Sequence, residues 1–416
     1  MREQHHRDDG DPRAAAAAVA RQSYGRLVAF LSARTRDVAA AEDALSEAFA
    51  AALTAWPETG IPRKPEAWLL TVAKRKQIDE SRRRAGDAGA RLQLGVIAEL
   101  VAQARSHDCL IPDNRLALMF ACAHPAIDQG LHAPLILQTI LGFDAATIAS
   151  AFLISPATMA QRLVRAKAKI KLAGISLQLP DRDELPTRLD GVLQAIYAAY
   201  ARGWSDVGGG PALAGEALWL GSLVADFFPE SAEAFGLLAL MLYGEARRPA
   251  RRAGGVYVPL SEQDTDLWRY DMIEQAEQYL WRAGRLASMG RFQIEAAIQS
   301  VHAARRNTGR TDWQAILQFY DVLASMVVSP VVAINRAVAI GEVHGPSQGL
   351  AALDQIAEGA TSLADYQPYW AARAELLARD GRTAAAVAAF DRAIGLEYDP
   401  AVRSYLQARR NRCLPA

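Results

Sequence analysis

Leu45, Phe49, Leu53 and Trp56 recur at helical spacing, with Ala48 and Ala52 beside them. Glu42, Asp43, Ser46 and Glu47 fall on the opposite face. One apolar stripe against one charged face predicts an amphipathic helix. Pro57, Gly60 and Pro62 then break the pattern. Pro65 suits the first turn of a new helix, and Glu66 suits its positive end. That helix runs through Trp68, Leu69 and Val72 into Arg82, Arg83 and Arg84. Residues 1–13 read as a disordered tail, 14–84 as one helical module, and 85–113 as a linker with one weak amphipathic helix. A second helical module covers 114–180. The polar, acidic stretch Pro180–Pro186 marks a boundary, and helical patterning fills 187–416. No segment alternates apolar and polar residues convincingly, so the expected fold is all-α with no sheet.

The last part repeats itself. Residues 367–400 fit a 34-residue helix-turn-helix unit of the tetratricopeptide type. Trp370, Ala374, Gly381, Ala386, Phe390 and Ala393 take the expected offsets, and Pro400 lies near the repeat end. A second register at 330–363 places Ala337, Gly349, Leu353 and Ile356 at matching offsets. Small residues there let two helices approach closely.

Within the second module, 145–153 reads as a short helix and Ile154-Ser155-Pro156 as a turn. Ser155 is a good N-cap and Pro156 a good first helical residue. The following helix puts Met159, Leu163, Ala166 and Ile170 on one face. Thr158, Gln161, Arg162, Arg165 and Lys169 project elsewhere. Between Ala145 and Pro180 there is no acidic residue. A helix in a DNA major groove lies between two rows of phosphates, which repel carboxylates. Arg and Gln also match guanine and adenine edges. Thr158, Gln161, Arg162 and Arg165 are therefore candidates for base-edge or nearby backbone contact, and Lys167, Lys169 and Lys171 for phosphate contact. The alternative is an ordinary helical hairpin with a solvated basic face.

A second basic element lies at 63–84, with Arg63, Lys64, Lys74, Arg75, Lys76, Arg82, Arg83 and Arg84 against three acids. A basic groove with aromatic groups suits single-stranded nucleic acid. Two such elements, each in its own helical module, suit a protein that grips two separated DNA sites.

Charge sharpens this division. The formal net charge of the 416-residue chain is +0. Residues 1–180 hold 23 basic and 18 acidic side chains, and the rest hold 23 and 28, so the halves carry +5 and −5. Opposite signs suggest different partners. The composition, 51% hydrophobic and 22% charged, excludes a wholly disordered chain. Three cysteines make no disulfide framework, which fits a reducing compartment. The polar N-terminus shows no signal peptide, and no apolar run reaches about 18 residues. The expectation is a cytoplasmic protein without a membrane partner.

These stretches resemble an extracytoplasmic-function sigma factor of bacterial RNA polymerase (the sigma-70 family, group 4). The resemblance is to the subgroup with a C-terminal tetratricopeptide-like extension. Residues 37–56 resemble sigma region 2.2, and 65–79 with Arg82 and Arg83 resemble regions 2.3 and 2.4. Residues 114–125 and 142–170 resemble region 4. The phrases at 236–242, 245–251 and 329–339 resemble the extension. The resemblance implies a factor that binds core RNA polymerase and directs recognition of −35 and −10 promoter DNA. Glu42, Asp43 and Glu47 become candidate polymerase contacts. Lys74, Arg75, Lys76, Gln77 and Asp79 become candidates for the −10 element, and the helix at 156–171 for the −35 element. The extension then regulates or supports activity, through a regulatory protein or intramolecular docking. The chain departs from the family pattern at Arg75, where Asn is usual, and at Thr147, where Glu is common. Tyr200-Ala-Arg-Gly-Trp204 also stands in place of Phe-Asn-Glu-Gly-Tyr.

The residues alone also allow a helix-turn-helix regulator that works without polymerase, or a tetratricopeptide-type scaffold. No catalytic constellation, cofactor or metal is expected. Cys122 and His124 supply only two ligands and read as a turn before Pro125. Trp204, Trp219, Trp268, Trp281 and Trp313 read as core.

Overall fold

A computed structural model describes residues 11–35, 38–78, 114–172, 180, 182–205, 210–286, 288–359 and 361–414. These residues are helical almost throughout, so the protein is all-α. Two compact units divide the chain, Met1–Ser205 and Asp206–Ala416.

The first unit opens with α1 (Pro12–Thr35), α2 (Val38–Thr59) and α3 (65–78). Helix α1 begins two residues inside the expected tail. Pro12 takes its first turn, and Asp11 Oδ1 accepts from Arg13 N at 3.0 Å. The buried stripe of α2 is Ala41, Ala44, Leu45, Ala48, Ala52 and Trp56. It is rotated from the expected one. Leu53 is 48% exposed, and Phe49 is half-buried against Tyr24. Alanines on the inner face suit the close packing of α1 on α2. The helix also runs through Pro57 to Thr59 instead of breaking. A proline in the last turn gives up one hydrogen bond there, and Gly60 ends the helix at φ 81°. Trp68 of α3 meets Trp56 edge-on at 5.6 Å.

The described residues of the unit continue with α4 (Asn114–Cys122), α5 (Gln129–Thr139), α6 (Ala145–Ala151), α7 (Pro156–Leu172) and α8 (Leu185–Ser205); the weak helix expected within 85–113 lies outside them. Helix α8 packs on α4 and α5. Arg188 is 4% exposed and donates from Nη1 to the Phe120 carbonyl at 3.2 Å. A Cβ on Gly191 would lie 2.7 Å from His132 Cβ, so only glycine allows this approach. Buried His132 Nε2 in turn lies 3.0 Å from His124 O and 3.1 Å from Ile127 O. The first unit thus closes at Ser205, whereas the sequence pattern starts the extension at 187.

The second unit holds α9 (Gly210–Phe227), α10 (Ala232–Arg247), α11 (Tyr270–Gly284), α12 (Arg291–Ala303), α13 (Arg305–Thr308) and α14 (Trp313–Met326). It continues with α15 (Pro330–His344), α16 (Pro346–Gly359), α17 (Gln367–Arg379), α18 (Thr383–Leu396) and α19 (Pro400–Arg412). Helices α15 and α16 meet at two glycines. A Cβ on Gly349 would sit 2.9 Å from both Ala337 O and Gly341 Cα. In the α17–α18 pair, Ala374, Ala386, Phe390 and Ala393 are fully buried. One sheet was not foreseen: β1 (Arg252–Ala253) pairs antiparallel with β2 (Val256–Tyr257). Gly254 and Gly255, both at positive φ, make the two-residue turn that strands this short require. The tryptophans also divide. Trp268 is buried, but Trp219 and Trp281 are 44% and 62% exposed and are not core.

Candidate nucleic-acid interface

Asp144 caps α6 by accepting from Thr147 N at 2.7 Å, and its second oxygen takes the Thr147 hydroxyl at 3.2 Å. The turn that follows passes through Leu153 in the left-handed region, φ 51°. Ile154 N closes it on Ala149 O at 3.1 Å. Ser155 Oγ then accepts from Thr158 N at 3.1 Å, which starts α7 at Pro156. Met159, Leu163, Ala166 and Ile170 are each 6% exposed or less. They hold α7 on α5 and α6. The opposite side of α7 is fixed by what these four bury.

That side presents Thr158, Gln161, Arg162, Arg165 and Lys169, all exposed. The Thr158 hydroxyl lies 2.7 Å from Ser155 Oγ. Lys169 reaches Ala126 O at 3.2 Å. Lys167 is turned inward and half-buried, and its Nζ lies 2.6 Å from Glu42 Oε1 on α2. The Lys171 side chain lies outside the described residues.

On α3, Arg75 and Lys76 are exposed, and Lys74 and Gln77 are half-buried. Gln77 Nε2 is buried without a hydrogen-bond partner among the described residues. Lys76 pairs with Glu47 on α2 at 3.1 Å. Asp79 and the arginines at 82–84 lie outside the described residues. Asp43 is exposed, and Glu42 is only 16% exposed. Two carboxylates read from the sequence as partner contacts thus already hold lysines of this chain. Glu42 and Lys167 stand 125 positions apart, and no sequence pattern foretells their meeting.

Burial governs the titratable groups near this junction. It pushes the Tyr24 phenol up to about 12, with help from Glu42. Complete burial, then Glu42, pushes the Cys122 thiol up to about 12, against an opposing effect of Lys167. A thiol held that high is not a thiolate nucleophile at neutral pH. His124 is held below its usual value by burial and then by Arg188, and its Nδ1 accepts from Ala126 N at 3.1 Å. Among the described residues no group of three His, Cys, Asp or Glu is arranged to hold a metal ion. No described helix is long and apolar enough to cross a membrane. Arg188 and His132, which brace α4, α5 and α8, carried no sequence signal: each stands alone in an ordinary helical pattern.

Residues 19–86 match the family described as sigma-70 region 2, which takes in most of α1 with α2 and α3. Residues 188–284 match a family of unknown function (DUF6596). Over 400 residues the chain is 35% identical to an uncharacterized protein of Rhizobium meliloti (strain 1021), covering 93% of this chain and 92% of that one. No solved structure matches. The matched segment makes the first helices a sigma-70 region 2 module, which supports a sigma-70 family sigma factor. Over nearly its whole length the chain belongs to one family with the Rhizobium protein.

Proposed function

We propose that this chain is a sigma factor of the extracytoplasmic-function type. It binds core RNA polymerase, places α7 on −35 duplex and α3 on the −10 strand, and directs transcription initiation in the cytoplasm. Asp43, with Glu42 and Glu47, serves the polymerase; Lys74, Arg75, Lys76, Gln77 and Asp79 serve the −10 element. Thr158, Gln161, Arg162 and Arg165, with Lys167, Lys169 and Lys171, serve the −35 element. Residues 14–84, 114–180 and 187–416 act as region 2, region 4 and a tetratricopeptide-like extension that regulates or supports the first two. One observation carries the reading. The sigma-70 region 2 match lies in the same compact unit as a helix whose exposed face holds Gln161, Arg162, Arg165 and Lys169 and no carboxylate. Arginine and glutamine on such a face can form bidentate pairs with bases while the lysine meets phosphate.

The test is run-off transcription with purified chain, bacterial core polymerase and the DNA upstream of its own gene. A discrete transcript that is lost with Arg162→Glu and with Asp43→Lys is the expected result. Stable duplex binding with no polymerase complex and no strand opening would replace this reading with that of a polymerase-independent regulator.

A further inference from the structure

Val164 is 67% exposed in the middle of α7. Isolated apolar residues on a surface are ordinary, but this one has a particular place. At about 100° per residue, Val164 lies within about 50° of the pole opposite the buried Met159–Leu163–Ala166–Ile170 stripe. Ala157, Gln161 and Ala168 share that pole, and all are exposed. Arg162, Arg165 and Lys169 flank it. The outermost line of the helix thus carries two alanines and Gln161, with Val164 beside it as the one branched hydrocarbon on the exposed face of α7. Lys169 stands farther to one side, where phosphates lie when a helix enters a groove.

We propose that Val164 is a specificity-determining residue that reads a thymine methyl group in the major groove. This rests on the reading of α7 as the −35 helix. The short side chains at 157 and 168 let the helix backbone come close to the groove floor. Among the base edges in a major groove, the thymine C5-methyl is the hydrocarbon feature, and it pairs with apolar side chains. Gln161 and Arg165, one turn and one residue away, have the hydrogen-bonding base edges to read, so Val164 adds a position that they do not cover. Burial of one methyl against it corresponds to about a fourfold gain in affinity.

The experiment selects duplexes from a randomised library with the full chain and core polymerase. The selected −35 duplex is then remade with deoxyuridine at one thymine at a time, which deletes only the methyl group. The wild-type complex is expected to weaken about fourfold at one position. Val164→Ala is expected to bind thymine and deoxyuridine duplexes equally there, while keeping its preference at positions read by Gln161 and Arg165. Circular dichroism checks that the variant folds, as the exposure of Val164 predicts. Indifference of the wild type to every deoxyuridine, or a site selected without thymine, overturns the proposal and leaves the −35 reading of α7 intact. Retained methyl sensitivity in Val164→Ala also overturns it. Failure to select any −35 sequence removes the α7 reading itself, and this proposal with it.

Discussion

Removing the Arg188 guanidinium should loosen α4 and α5 while leaving the second unit alone. Arg188 lies on α8 with 4% of its surface exposed. Its Nη1 meets the Phe120 carbonyl at 3.2 Å, and its Nη2 meets Glu184 Oε2 at 2.6 Å. Arg188→Met keeps most of the aliphatic stem and deletes both donors. A hydrogen bond from a charged group contributes about 1.5–3 kcal/mol. The Glu184 bond adds only about 0.5 kcal/mol, because Glu184 is 54% exposed. Relief of the buried cation's desolvation offsets part of the loss. The net cost is about 1–2 kcal/mol. Arg188→Ala also discards the packed stem, for roughly 2 kcal/mol more. Hydrogen–deuterium exchange of the full chain reads this directly. Peptides from α4 and α5 should exchange about tenfold faster in Arg188→Met and faster again in Arg188→Ala, with peptides from α17 and α18 unchanged. Unchanged exchange in α4 and α5 in both variants would refute the view that α8 braces these helices.

Ser155→Ala removes the oxygen that caps α7, so unit-one stability should fall by about 1 kcal/mol. Affinity for promoter DNA should fall with it, measured by chemical denaturation and by gel shift with polymerase. Gly236→Ala would set a Cβ 2.5 Å from the backbone nitrogen of Gln293, which cannot rotate away. The second unit should lose about 3 kcal/mol or more, seen as a lower melting temperature in calorimetry. Burial, then Arg247 and Arg305, pulls His302 down to about 4, so it is neutral when folded and takes up a proton on unfolding at mildly acid pH. Its contribution to stability is therefore full above about 6.5 and lost as pH falls from there towards 4, about 3 kcal/mol at most. His302→Phe should flatten the stability profile of the second unit across that window.

The helical class was legible because alanine-rich stripes recur at helical spacing and proline, glycine and Ser155 punctuate them. The α6–α7 turn was legible for the same reason: its signals are local. The rotation of the α2 stripe was not. Leu53 is the more apolar residue, yet it is 48% exposed while Ala48 and Ala52 share the buried face with Leu45 and Trp56. The hairpin at 252–257 is too short for an alternating pattern, so only its paired glycines hinted at it. The packing of Leu185–Ser205 on α4 and α5 through Arg188 and Gly191 was not legible, because such contacts leave no local trace. Of the candidate interface, residue types and faces on α7 were readable, but the ion pairs that occupy Lys167 and Lys76 were not.

The Glu42–Lys167 pair makes two surfaces answer to each other. A phosphate that claims the Lys167 ammonium must first displace the Glu42 carboxylate, and that carboxylate then turns to solvent with its charge unmet. A cationic surface that claims Glu42 likewise leaves Lys167 seeking an anion. Each ligand lowers the work the other must do, and linkage makes the two reductions equal in free energy. Within the first unit, this short contact would thus tie an anion's access to Lys167 on α7 to a cation's access to Glu42 on α2.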